Sequence, residues 1–378
     1  MIRENLILAV TSPNEVAINI DAEKAPNFKF YAHHRNYWLN SAIIAYILVG
    51  YVLSLFCITG VSWWLNLLGV ILLTHSLTWA AFLIHELFHQ NIFSRSSLNI
   101  AFGEIMLFLT GSCYSRFRDV ALHHIAHHVH RADFSPFHPF SIADFLYSLP
   151  KSTQRLIVFL EWLCIPAVNL TIRWMIALAP FLSQNRQEER FRNALLLLVR
   201  GSLFTTLAVY SARAVILYLI SYICFLNIVQ FLENFQHTYS TFHINGKVPK
   251  HNLEYDEANT YSLVISQQWS WLNLLICFNN NYHNAHHRLM SCPWYLLPQL
   301  DAELYPRSYL QYVPVSKLLI NYFRYRIYRL FHGQGTVERI GKELNLDSFK
   351  GATGMSFMLL RQPFDWLEIS SAVTFTQS

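Results

Sequence analysis

The chain has 378 residues, of which 53% are hydrophobic and only 13% charged, against about a quarter charged in an ordinary soluble domain. Its formal net charge of +5 comes from Lys and Arg scattered among apolar stretches, with no basic stripe to track phosphates, which tells against nucleic-acid binding. Six cysteines, Cys57, Cys113, Cys164, Cys224, Cys277 and Cys292, lie far apart without a CxxC pair and read as buried thiols, not as a disulfide or iron–sulfur framework.

In chain order, residues 1–37 mix charged and apolar residues without the basic and apolar blocks of a signal peptide, so this segment is expected to stay on the cytoplasmic side. Trp38 to Ile58 and Val61 to Ile84 are uncharged, and each exceeds the ~20 residues that span a bilayer, which predicts a helical hairpin. Trp38, Trp63, Trp64 and Trp79 suit an interfacial belt, with Trp79 also able to pack inside. Leu98 to Ser112 is too short to cross and contains Glu104, so it is expected at the interface or re-entrant. Leu156 to Leu182 is long enough, but crossing would put Arg186, Arg190 and Arg192 outside, against the positive-inside tendency. A surface-lying or re-entrant segment is expected there, followed by a second hairpin, Ala194 to Tyr210 and Ala214 to Phe231. Trp269 to Phe278 is a short apolar piece. Beyond residue 306 a tail with Arg324, Arg326 and Arg329 is expected on the cytoplasmic surface as a basic patch. The prediction is an all-α membrane protein, with about four transmembrane helices in two hairpins and a membrane domain over 38–306. A cytoplasmic helical cap and a cytoplasmic tail, 307–378, complete it.

The 18 histidines concentrate in three clusters: His85-Glu-Leu-Phe-His89, His123-His124-Ile-Ala-His127-His128 and His283-Asn-Ala-His286-His287. On a helix, residues i, i+3 and i+4 share a face, so each cluster aims two or three imidazoles at one point. All three fall at the same expected membrane face. Together they offer more nitrogens than one zinc takes, which implies two metals. Imidazole alone does not choose among iron, copper, zinc and nickel.

These motifs resemble the membrane fatty acid desaturase and hydroxylase superfamily, whose signature is HxxxH or HxxxxH, HxxHH and HxxHH, and the likeness extends from Trp38 to about Leu300. Asn281-Tyr-His-Asn-Ala-His-His-Arg-Leu with Pro293-Trp-Tyr-Leu-Leu-Pro298 is similar to the third box and downstream motif of bacterial-type acyl desaturases. The resemblance implies two iron ions, O₂ as co-substrate, a lipid acyl substrate and insertion of a double bond at a cytoplasmic-side site. The ligands it implies are His85 and His89, then His124, His127 and His128, then His283, His286 and His287. His237, in Glu233-Asn-Phe-Gln-His237, matches a ninth ligand, with Glu233 or Asn234 able to approach the metals. No haem module, dinucleotide loop or ferredoxin-like cysteine spacing is present, so a separate ferredoxin or cytochrome is expected to bring electrons. Exposed basic residues near the third box and tail offer it a docking surface.

Other readings stay open at this point. His123, His127 and His128 also form HxxxHH, the spacing of alkane hydroxylases, so hydroxylation of an alkyl, acyl or carotenoid lipid competes with desaturation. His85-Glu86-Leu-Phe-His89 also fits the HExxH of a zinc protease, with Glu86 as base, but this leaves the other clusters idle; otherwise Glu86 lies just outside the ligands or faces solvent. A metal transporter would place ionisable residues along the spans, where the first hairpin has only His75. His75 reads as a satisfied buried histidine before a tunnel residue. His130 and His138 flank the second cluster as outer partners of the ligands, and Asp119, Asp133 and Asp144 are candidate acceptors for ligating imidazoles. His33, His34, His243, His251 and His332 read as surface residues.

Overall fold

The computed structural model describes residues 26–353 apart from 135–141, 243–246, 267, 307–308, 334, 336 and 342. His138, His243 and most of the N-terminal segment lie outside the described residues. The first hairpin is α1 (Tyr37–Thr59) and α2 (Trp63–Phe88). The Asn36 side chain starts α1 by accepting from Leu39 N at 3.1 Å, which satisfies one of the donors that a helix start leaves open. Asn66 closes the turn, its amide donating to Cys57 O and Gly60 O at 2.9 Å each. The two helices approach closely at Gly69, where a Cβ would stand 2.8 Å from Cys57 Cβ and 2.9 Å from Ile58 N. Trp38, Trp63 and Trp64 are exposed at the ends, whereas Trp79 is buried against Tyr46, His75 and Phe278.

Next come α3 (Ser96–Leu109), too short to cross, and α4 (Phe117–His130), which carries the second histidine cluster. A two-residue strand, β1 (Asp133–Phe134), follows, then α5 (Ile142–Ser148), α6 (Lys151–Trp162) and α7 (Ala167–Leu182). The apolar stretch Leu156 to Leu182 is therefore two helices. Pro166 has no N–H to continue α6, and Cys164 turns the chain at φ 61°.

The second hairpin is α8 (Arg190–Tyr210) and α9 (Ala212–Gln236). It starts earlier and runs five residues further than the uncharged core Ala214 to Phe231, because Glu233 and Asn234 are buried by protein and need no lipid. These two helices and α1 and α2 are the four described helices long and apolar enough to cross a membrane. Along α8 only Asn193 is buried, and Phe191, Leu198 and Val209 are exposed; in lipid such a face costs nothing. Cys224 is likewise exposed, and Cys57 and Cys164 are half-buried, a departure from the expectation of six buried thiols, although all six are free.

Beyond α9, β2 (Thr241–Phe242) pairs in parallel with β1, followed by α10 (Leu253–Asn259), β3 (Ser262–Val264), α11 (Ser270–Cys277), α12 (His283–Arg288) and α13 (Leu297–Leu304). β4 (Tyr312–Pro314) pairs in parallel with β3 and leads into α14 (Val315–Arg324) and α15 (Arg326–His332). Leu318, Tyr322 and Phe349 of the tail join the main apolar core with Leu77, Phe82 and Phe235. The expected basic patch is not on the surface. Arg324 is exposed, but Arg326 and Arg329 are buried. Arg326 Nη2 stands 2.9 Å from Glu161 Oε2 of α6, and Arg329 donates to the carbonyls of Asn321 and Lys350. Burying a guanidinium is tolerable only with such partners.

Candidate metal centre

α2 and α9 end on the same side of the helical frame, and this is where the histidines collect. His85 and His89 close α2, and His237 follows α9 in extended backbone. α4 and α12 bring the second and third clusters. Nine imidazoles assemble into two groups, His85, His89, His124, His128 and His286 in one and His127, His237, His283 and His287 in the other. Within each group one nitrogen per residue lies within 4.8 Å of all the others. The helical period explains the partition. His124 and His128, four apart, face the first group, while His127 turns to the second; on α12, His283 and His287 take the second group and His286 the first.

The nitrogens are close. In the first group, Nε2 of His124 stands 2.9 Å from that of His89 and 3.0 Å from that of His128, which is 3.2 Å from His286 Nε2. In the second, Nε2 of His237 stands 2.7 Å from that of His283 and 3.2 Å from that of His127. Two nitrogens about 2.1 Å from one metal and at right angles to each other stand about 3 Å apart, so these spacings fit a shared cation. Neutral imidazoles crowded this way, with the proton on Nδ1, would set lone pairs against each other without one. His287 Nε2 is buried and has no hydrogen-bond partner among the described residues.

In the second group, the outward nitrogens of His127, His237 and His287 have oxygen partners, which favours the tautomer that leaves Nε2 free to ligate. His127 Nδ1 donates to Ala132 O at 2.9 Å, with Asp133 Oδ1 at 3.2 Å. His287 Nδ1 meets Asp256 Oδ1 at 3.2 Å, and Tyr239 OH donates to the same carboxylate. Arg131 Nε stands 3.4 Å from Asp256 Oδ2. Thr260 Oγ1 is 3.3 Å from His237 Nδ1. Burial first, and neighbouring imidazoles second, hold His128, His237, His283, His286 and His287 well below the ordinary imidazole range. They are therefore neutral near pH 7, the form that ligates a metal without first losing a proton.

Several sequence candidates stand elsewhere. His123 is half-buried and outside both groups. Glu233 is buried one turn before His237 but belongs to neither group. Asn234 points away from the imidazoles: with its amide turned to suit its neighbours, it donates to Ala352 O at 3.0 Å and Gln230 O at 3.1 Å and accepts from Arg329 Nε at 3.2 Å. Glu86 is buried, not solvent-facing, and its carboxylate accepts from Trp294 N at 3.0 Å and Asn91 at 3.3 Å. His130 meets Phe134 and no box histidine, and Asp144 is exposed. His75 is half-buried and satisfied, Nε2 donating to Leu275 O at 2.7 Å and Nδ1 accepting from Tyr46 OH at 2.6 Å. His33, His34 and His332 are exposed, whereas His251 is half-buried and stacks on Tyr255.

Asp256, Thr260 and Tyr239, which surround the second group, had no signal in the sequence, since no spacing rule links residue 256 to residue 287. No curated protein matches the chain. The family model described as fatty acid desaturase matches residues 62–318, more than half of the chain and a stretch that holds all nine clustered histidines. With that match, and with four membrane-length helices framing the three histidine boxes, the chain belongs to the fatty acid desaturase family.

Proposed function

We propose that the chain is an O₂-dependent di-iron oxidase that introduces a double bond into a fatty acyl chain. The carrying observation is the assembly of nine buried, mutually facing imidazoles into two adjacent groups. His85, His89, His124, His128 and His286 would hold one iron, and His127, His237, His283 and His287 the other. Bound there, two irons supply the activation of O₂ needed to remove hydrogen from an unactivated methylene. The chain's own residues orient the imidazoles of the second group, through Asp256, Thr260 and Ala132 O, while burial keeps the imidazoles neutral and bulk water away. Electrons would come from a separate ferredoxin or cytochrome. The histidine side of the frame is proposed to face the cytoplasm.

Two observations favour this reading over its rivals. The second box contributes His124, His127 and His128, with His123 outside both groups, which supports HxxHH over the HxxxHH of alkane hydroxylases. Glu86 is engaged by Trp294 N and Asn91 and so is poorly placed as the base of a zinc protease. Expression in a host that lacks the protein, with mass-spectrometric profiling of the lipids, tests the proposal. A new unsaturated acyl chain is the expected product, and a hydroxylated one would overturn desaturation. His286→Ala should lose iron and product together; full activity in that variant would end the assignment.

A further inference from the structure

His237 enters the second group from outside any helix, in extended backbone, so its place depends on what holds the segments around it. It bridges to Thr260, and Tyr261 N donates to Gln236 O at 2.9 Å. Both segments are gripped from the far end of the chain. Phe349, fully buried, meets the Phe235 ring edge-on at 5.3 Å and the Tyr261 ring at 5.1 Å. Ala352 N donates to Asn234 O at 2.7 Å, and the Asn234 amide answers to Ala352 O and Arg329. Asn321 of α14 holds Phe349 O at 3.0 Å, and Arg329 of α15 holds Lys350 O at 2.8 Å. At Gly351, φ is +76° and a Cβ would stand 2.8 Å from both Asn234 O and the Phe235 ring, so the strap fits only without a side chain there.

The two histidine groups thus have different mechanical support. His85 and His89 of the first belong to α2, whose adjoining turns are wholly buried in the core. The second relies on the end of α4, on α12 and on His237. We propose that the strap Phe349–Ala352 positions His237, and so completes the four-imidazole metal site, while the five-imidazole site stands without it. This rests on the reading of both groups as metal sites.

Metal counting on the purified full chain tests it. Wild type should carry two metals, Gly351→Val one, a twofold fall, and Gly341→Ala, a positive-φ glycine with open space around it, still two. Adding His283→Ala to Gly351→Val should remove nothing further, since coupled changes at one site do not add. Adding His85→Ala and His89→Ala instead should empty the protein. Retention of both metals in Gly351→Val, loss of both, or a further loss on adding His283→Ala would overturn the strap's role. If Gly351→Val fails to fold, Phe349→Leu should speed chelator release of one metal only; equal speeding of both, or of neither, overturns it. A wild-type chain without metal would sink the two-site reading itself, and the strap's role with it.

Discussion

A single carboxylate, Asp256, gathers His287 Nδ1, Tyr239 OH and Arg131 Nε around one side of the second histidine group. Its negative charge raises the basicity of the imidazole it holds, so Asp256→Asn should keep the shape but weaken metal binding by about 10–100-fold. Competition with a chelator measures this, and unchanged affinity would refute the role. Elsewhere Asp301 is buried beside Tyr312, whose OH donates to it at 2.5 Å, and desolvation pushes its carboxyl up to about 7. The folded state therefore binds a proton that the unfolded chain has released above its ordinary value of 3.8. Stability from this group is complete below that value and is lost as pH rises toward 7. Asp301→Asn should raise the thermal midpoint in detergent more at pH 8 than at pH 4, and an equal change at both would contradict the assignment.

At the level of helices, the close contact of α1 and α2 at Gly69 aligns α2 and hence His85 and His89. Gly69→Val would force its side chain against Ile58 and Cys57. Overpacking of this kind costs about 1–3 kcal/mol and should lower the thermal midpoint, whereas Gly201→Val, at a site open on all sides, should cost less. Equal losses would remove the close-packing argument. The box helices were legible because a spacing of four residues defines a face. The break between α6 and α7 was not, because the apolar composition runs through Pro166 without a change.

Across the whole molecule, Arg326 ties three distant pieces together, bonding Glu161 of α6, Asn227 of α9 and Tyr322 of α14. Removing one partner of a buried ion pair strands the other, so Arg326→Ala should cost about 3–5 kcal/mol. Arg326→Met combined with Glu161→Leu should recover most of that loss in a thermal or denaturant measurement, because no charge is then left stranded. If the double variant is as unstable as the single one, the cost lies in packing. Sequence reading put this arginine on the surface because its local pattern, three arginines within six residues, gives no hint of Glu161 some 165 positions away.

The amino-acid order by itself determined the membrane frame, since uncharged runs of bilayer length admit few other folds, and it named the nine clustered imidazoles. Their division into five and four was decided only in three dimensions. Helical periodicity tells which residues share a face, but not which face of α4 meets which face of α12. The same holds for Asp256 against His287, for the burial of Arg326 and Arg329, and for Asn234 turning to the tail. Each is a contact between segments far apart in sequence, and local propensity carries no information about such encounters.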